Sequence, residues 1–229
     1  MTTILEVSKL SFRYASERVL RGISFQIAEG ESVGLAGANG SGKSTLLWCI
    51  AGLLHGDGVV RLFGGQPAKD CRKKIGMVFQ NPEDQLFMPA LAQDLALPLV
   101  NSGMRPKDAQ AVARQWLDRF ELARYSDLPA THLSLGQRKR AAVALAMVRS
   151  PQFLIMDEPT AELDGRAVRR LSTMLNRLAL TKLIASHHLD FLRATTSRVI
   201  LLREGEIRAQ GPAPEILNDT ALLEESGLI

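Results

Sequence analysis

The chain has 229 residues, 46% of them hydrophobic, and 28 Lys+Arg against 24 Asp+Glu give a net charge of +4. This length fits one large domain, or a domain with an inserted subdomain, with enough apolar residues for a sizeable core. No apolar run approaches the ~20 residues that span a bilayer. Cys49 and Cys71 form no CxxC or His/Cys cluster, which argues against a zinc site or disulfide frame and for plain buried or half-exposed thiols. The mild basic excess suits a nucleotide, an anionic surface or nucleic acid without choosing among them.

The N-terminal stretch MTTILEVSKLSF has no basic segment followed by an apolar one, so a cytosolic location is expected. ILEVSKLSFRY and ISFQI alternate as strands, with a turn at AEGE. SVGLAG reads as a short apolar strand running into glycines. STLLWCIAGLL then has helical spacing, with Gly52 near its end. VVRLFGG and IGMVFQ are further strands. From about Pro89 to Leu122 the pattern turns helical, interrupted at 101–106. Val112, Trp116 and Phe120 fall on one stripe, expected to pack inward. A helix from Ser134 to about Val148 leads to the strand FLIMD, a helix over 166–178, the strand KLIAS, a short helix, then RVILL and EIRAQ joined at Glu204 and Gly205. Alternating strands and helices with continuously apolar strands predict a parallel sheet covered on both faces. The 212–226 tail reads as two short helices.

Two motifs carry chemistry by themselves. GANGSGKS at 37–44 fits G-x-x-x-x-G-K-[ST] between a strand and a helix, the setting of a P-loop. Gly37, Gly40 and Gly42 let the backbone close around a polyphosphate. The amides of the loop, spanning Gly37, Ala38, Asn39, Gly40, Ser41, Gly42, Lys43, Ser44 and Thr45, are candidate phosphate donors. Lys43 brings a mobile charge to the β/γ-phosphates, and Ser44 a hydroxyl for Mg²⁺. FLIMDEP at 153–159 delivers two acids at the carboxyl end of a buried strand, where open α/β sheets bind ligands. Asp157 suits Mg²⁺, and Glu158 suits a water aimed at the γ-phosphate. A third stretch, LSLGQRKR at 133–140, opens a helix with the capping-box pattern Ser134…Gln137, a second start that attracts anions. Its RKR is expected to lie on a solvated helix face, with headgroups or phosphates as the sharper alternative.

The P-loop, LSLGQ, LIMDEP, AELD and SHH, in this order, resemble the nucleotide-binding subunits of ATP-binding cassette (ABC) proteins, from Phe12 to about Gly211. The resemblance implies an α/β fold: a P-loop NTPase core with an N-terminal antiparallel β part and an inserted helical subdomain. The implied division is 1–85 and 151–229 for the core and 86–150 for the helical part, within one ABC ATPase domain. It implies Mg²⁺-dependent ATP hydrolysis by two chains paired head-to-tail, a homodimer being expected. Ser134, Leu135, Gly136 and Gln137 would then cradle the γ-phosphate of the ATP held by the twin, and Asp164 would cross the interface. Tyr14 matches the position that stacks on adenine, with Phe12 as competitor. Gln80 matches a glutamine that touches Mg²⁺ and the attacking water. His187 matches a histidine on the γ-phosphate; it is preferred over His188 because it comes first after KLIAS. Leu135 stands where the family has glycine, so the turn there must be helical or extended. Glu162 stands where a small residue is common.

FQNPEDQLF at 79–87 resembles the ATPases of energy-coupling-factor importers, which take up cobalt or nickel ions and vitamins. A loop with Pro82, acids, Leu86 and Phe87 suits docking of a partner helix. The expected partners are a transmembrane scaffold and substrate-binding membrane subunits, with the chain peripheral on the cytoplasmic face and cobalt or nickel as cargo. Vitamin importers and other ABC transporters are the alternatives. No nucleic acid is expected: relatives that act on it usually carry two cassettes or a long coiled coil. The chain is expected to end soon after its core.

Overall fold

The computed structural model describes residues 2–229, apart from the side chain of Ala68. Strands β1 (Thr3–Tyr14) and β2 (Glu17–Ala28) form a long hairpin, and β3 (Ser32–Ala36) enters the core. Helix α1 (Lys43–Ile50) follows, then β4 (Asp57–Leu62), the short β5 (Gln66–Pro67) and β6 (Ile75–Val78). Helices α2 (Leu91–Val100), α3 (Pro106–Arg119) and α4 (Leu135–Met147) come next. The last third alternates: β7 (Phe153–Asp157), α5 (Gly165–Asn176), β8 (Thr181–Ser186), α6 (Leu189–Thr195), β9 (Arg198–Arg203), β10 (Glu206–Pro212), α7 (Ala213–Asn218) and α8 (Thr220–Glu225).

Among the described residues the strands make two sheets: an antiparallel β2-β1-β4-β5 and a mixed β10-β9-β3-β8-β7-β6. In the second, β3, β6, β7, β8 and β9 run parallel and β10 returns antiparallel. The continuous apolar runs have the reason expected of them. Phe153, Ile155, Leu183, Ala185, Ile200 and Leu202 pack on one face against α1 and the antiparallel sheet. Their neighbours Leu154, Met156, Ile184, Val199 and Leu201 pack on the other face against the helices. Period-2 alternation thus feeds two cores at once. Both cysteines lie in the first core, and burial pushes the Cys49 thiol up to about 11.

Three expectations change. Lys139 and Arg140 are not on a solvated face. Both are buried, and Arg140 Nη1 donates to the Phe120 carbonyl at 2.6 Å. Only Arg138 is part-exposed, donating to the Leu133 carbonyl at 2.9 Å and facing Glu83 at 3.8 Å. On α3 the fully buried stripe is Ala109, Ala113 and Leu117, one position off the expected one. Phe120 joins it, while Val112 and Trp116 flank it and the Arg119 guanidinium stands 4.7 Å from the Trp116 ring. Of the paired Leu86 and Phe87, Leu86 is a core residue and Phe87 is 67% exposed.

The turn between β9 and β10 ties the two sheets to the P-loop. Gly205 accepts from the Arg21 amide at 2.8 Å and donates to the Ser41 carbonyl at 3.1 Å. Its φ is +78°, and a Cβ there would sit 2.1 Å from the Val19 carbonyl oxygen. Gly205→Ala is therefore expected to destabilise the fold by about 2–4 kcal/mol through backbone strain and collision. Urea unfolding of the variant, showing a lower midpoint at unchanged slope, checks this.

Candidate functional site

Four parallel strands deliver their C-terminal ends to one edge of the sheet. β3 runs into the P-loop, β6 into Gln80, β7 into Asp157 and Glu158, and β8 into Ser186 and His187. Gly42 caps α1 in the left-handed region at φ +103°, so the helix opens with unpaired amides and no side-chain cap. The open cleft there, ≈ 500 Å³, includes Tyr14, Asn39, Gly40, Lys43, Gln80 and Glu158 in its wall, with Gly42, Ser44 and Thr45 beside them. Glu17 and Val19, not singled out in the sequence, also line it.

Lys43 is held by its own loop. Its Nζ donates to the carbonyls of Gly37 at 2.7 Å and Ala38 at 3.1 Å, and lies 3.3 Å from Glu158 Oε1. The other carboxylate oxygen of Glu158 faces His187 Nδ1 at 3.0 Å, the Ser186 hydroxyl at 3.3 Å and the His187 amide at 3.4 Å. Glu158 has φ +43°, a left-handed conformation that costs a non-glycine residue ~1–2 kcal/mol. His188 instead donates its amide to Ser186 Oγ at 3.1 Å, and its ring has no place in this cluster. Tyr14 is 43% exposed at the cleft, edge-on to Phe12 with ring centroids 4.8 Å apart, while Phe12 packs against the core.

Asp157 is buried, and its Oδ1 has no hydrogen-bond partner. Desolvation raises its pKa; the Ser44 hydroxyl and the Lys43 and Lys139 charges oppose this, and Glu158 adds to it. Ser44, Gln80 and Asp157 line one further cleft with Trp48 and Asp84. An orphaned carboxylate oxygen beside a hydroxyl and an amide carbonyl is a donor set that a hard divalent cation fits. Ser41, the remaining loop residue, is buried with its hydroxyl unpaired.

The second anion-ready helix start is elsewhere. Ser134 caps α4 with the full box: its amide donates to Gln137 Oε1 at 2.7 Å, and the Gln137 amide donates to Ser134 Oγ at 3.4 Å. Gln137 Nε2 also donates to the Tyr125 hydroxyl at 2.6 Å, so its side chain is fully engaged. Leu135 is the first helical residue, one of the two conformations its bulk allows. Gly136 packs near Ala167 and Leu163, which brings this helix start beside Asp164; the Asp164 carboxylate accepts from the Ala167 amide at 2.8 Å and caps α5. None of residues 134–137 or 164 lines the P-loop cleft. Glu162 has φ +63°, which is why a small residue suits that position.

Two further residues hold the backbone around the site: Lys139, misread in the sequence as solvated, and Asp94, not singled out there. Lys139, 2% exposed, donates to the carbonyls of Gln80 at 2.5 Å and Glu158 at 3.2 Å; desolvation lowers its pKa, while Glu162, Glu158 and Asp157 oppose the shift. Asp94 Oδ1 accepts the amides of Phe87 and Met88, each at 2.9 Å, and so fixes the exposed Phe87. The Ala-rich run after RKR, buried on nearly every side, was the available signal that α4 enters the interior early.

A family model described as ABC transporter matches residues 20–161. The chain is similar, at 41% identity, to an inferred ABC transporter ATP-binding protein of Gloeobacter violaceus, over 98% of this chain and 95% of that one. It is 33% identical to the energy-coupling factor transporter ATP-binding protein EcfA of Methanosphaera stadtmanae, over 100% and 86%. Among solved structures it resembles cbiO1 of Clostridium perfringens, part of the ABC transporter complex cbiONQ. The TM-score is 0.85 and the identity 32%, over 100% of this chain and 96% of that one.

The raised pKa of Asp157 makes its ionised form costly to the fold. With the folded value above the unfolded one, the penalty sets in as pH rises past the unfolded value and grows until the folded value is passed. Asp157→Asn is expected to raise the melting temperature of the nucleotide-free protein at neutral pH by about 2–4 °C. The same variant should lose the further rise that Mg²⁺ with ATP gives the native chain. Thermal unfolding with and without Mg²⁺–ATP measures both.

Proposed function

The chain belongs to the ABC transporter ATP-binding family, and we propose that it is the ATP-hydrolysing subunit of an energy-coupling-factor-type importer, working as a head-to-tail homodimer. Members of this family are ATPases that bind ATP and pair. The observation that carries the reading is the split phosphate site. P-loop residues, Gln80 and Glu158 line one cleft, with His187 bound to Glu158 and Asp157 in the adjoining cleft beside Ser44 and Gln80, while the capped helix start at Ser134 lies outside both. This capped helix start beside Asp164 would be complementary to the open cleft of a second copy, its dipole favouring an anion.

In this mechanism Tyr14 stacks on the base, and the amides of 37–45 grip the phosphates. Lys43 leaves the Gly37 and Ala38 carbonyls for phosphate oxygens, a stronger charge-assisted bond. That exchange removes the cation from Glu158 Oε1. Glu158, still held through Oε2 by Ser186 and His187, then takes the proton of an attacking water. His187 contacts the γ-phosphate, and Gln80 orients the water. Mg²⁺, held by Asp157, Ser44 and Gln80, would supply positive charge to the phosphates. From the twin, Ser134 and the Gly136 amide close the site over Leu135. Gln137 holds that helix start rigid, and Asp164 crosses the interface.

The docking reading rests on Phe87, displayed by Asp94 in the loop that begins at Gln80. No helix among the described residues is long and apolar enough to cross a membrane, so the transport path would belong to other subunits, with this chain peripheral on the cytoplasmic face. Residues 86–150 would form the helical subdomain, and 1–85 with 151–229 the core, of one domain. The similarity to EcfA supports the energy-coupling-factor type, and the resemblance of FQNPEDQLF supports an importer with cobalt or nickel ions as cargo.

Glu158→Gln is expected to bind ATP, form an ATP-dependent dimer and lose turnover by about 10²–10⁴-fold. Vesicles holding the whole complex should lose divalent-ion uptake with it. Hydrolysis at the native rate would remove Glu158 as base. Uptake of a vitamin instead of cobalt or nickel would shift the cargo to the alternative.

A further inference from the structure

The parallel ladder between β6 and β7 stops with Val78 opposite Met156. Two residues further along each strand stand Gln80 and Glu158, level with each other and past the last registered pair. Their carbonyls are joined instead by one buried cation. Lys139 Nζ, from the second turn of α4, lies 2.5 Å from the Gln80 oxygen and 3.2 Å from the Glu158 oxygen. Charge-assisted bonds of this kind are roughly twice as strong as neutral ones, and an ammonium this deep is tolerated only when so satisfied.

We propose that Lys139 is a positioning residue for hydrolysis: it fixes the backbone at Glu158, and so the direction of that carboxylate, and ties it to the backbone at Gln80. This rests on Glu158 acting as base. The Glu158 peptide is clamped from both sides, since its amide donates to the Ala185 carbonyl at 2.9 Å while its own carbonyl accepts from Lys139. The clamp holds a non-glycine residue at φ +43°. Without the ammonium, nothing on the carbonyl side opposes relaxation to negative φ, and the carboxylate swings off the line to the phosphates. Lys139 lies five residues beyond Ser134, on the same helix. The helix start offered to the twin, the loop carrying Phe87 and the base are therefore joined through one side chain.

The test is a double-mutant cycle on ATP hydrolysis by the purified chain with Mg²⁺. Lys139→Met keeps the stem and removes the donors. It is expected to lower kcat by about 10–100-fold, with the KM for ATP within about twofold, because a misplaced base costs rate and not binding. Lys139→Arg, which retains several donors, should recover most of kcat. In a Glu158→Gln background, Lys139→Met should change the residual rate by less than about twofold, because the loss runs through the missing carboxylate. A purely structural lysine would lower the rate equally in both backgrounds, and that result overturns the proposal. So does a Lys139→Met chain with native kcat. Lys139→Gln is read by the same criteria should the methionine variant fail to fold. If Glu158→Gln alone hydrolyses ATP at the native rate, the base assignment falls and this proposal with it; an equal loss in both backgrounds refutes this proposal only.

Discussion

A polyphosphate is held where unpaired backbone amides converge with positive charge, and this chain builds two such places that do not meet. One is the P-loop opening α1. The other is the Ser134 box opening α4. No residue of the second lines the cleft of the first. Each half is stable alone because its polar groups find internal partners. Lys43 rests on the carbonyls of its own loop and on Glu158, and Gln137 closes on Ser134 and Tyr125. In the proposed mechanism the nucleotide's phosphates would replace partners that the protein already supplies, and releasing Lys43 from Glu158 would free that carboxylate to act as a base.

The sheet makes this possible. In the order β3-β8-β7-β6, every neighbour runs the same way, so phosphate loop, histidine, acids and glutamine all emerge at one edge. Both faces of the sheet are sealed by apolar side chains, and the strand ends are where chemistry is left exposed. Past that edge the hydrogen-bond ladder has to be replaced. Lys139 does so between the Gln80 and Glu158 segments, and Gly205 does so between the P-loop and the antiparallel sheet.

Local chemistry was legible in the sequence, and long-range satisfaction was not. The P-loop and the Ser134…Gln137 cap are complete within a few residues, so spacing alone announced them. Leu135 was expected from its bulk to be helical or extended, and it is the first helical residue. The strands FLIMD and KLIAS announced two-sided burial by their unbroken apolar character. Lys139 was misread as solvated because its acceptors lie 59 and 19 residues away in sequence. Arg140 was misread for the same reason, its acceptor being Phe120. Leu86 and Phe87 look alike in sequence, yet the Asp94 carboxylate fixes the backbone so that one enters the core and the other faces out. On α3, Val112 and Trp116 have the bulk expected of a core, but the small Ala109 and Ala113 take the close contact.

The central claim, that each ATP lies between the P-loop of one copy and the Ser134 helix start of its twin, is tested most directly by mixing two inactive proteins. One carries Lys43→Ala and the other Ser134→Arg. In a head-to-tail pair a mixed dimer keeps one intact site, so equal mixing should restore hydrolysis to about a quarter of the native rate if the sites act independently. A mixture as inactive as its two components would mean that each chain grips ATP with its own residues alone, and would contradict the account.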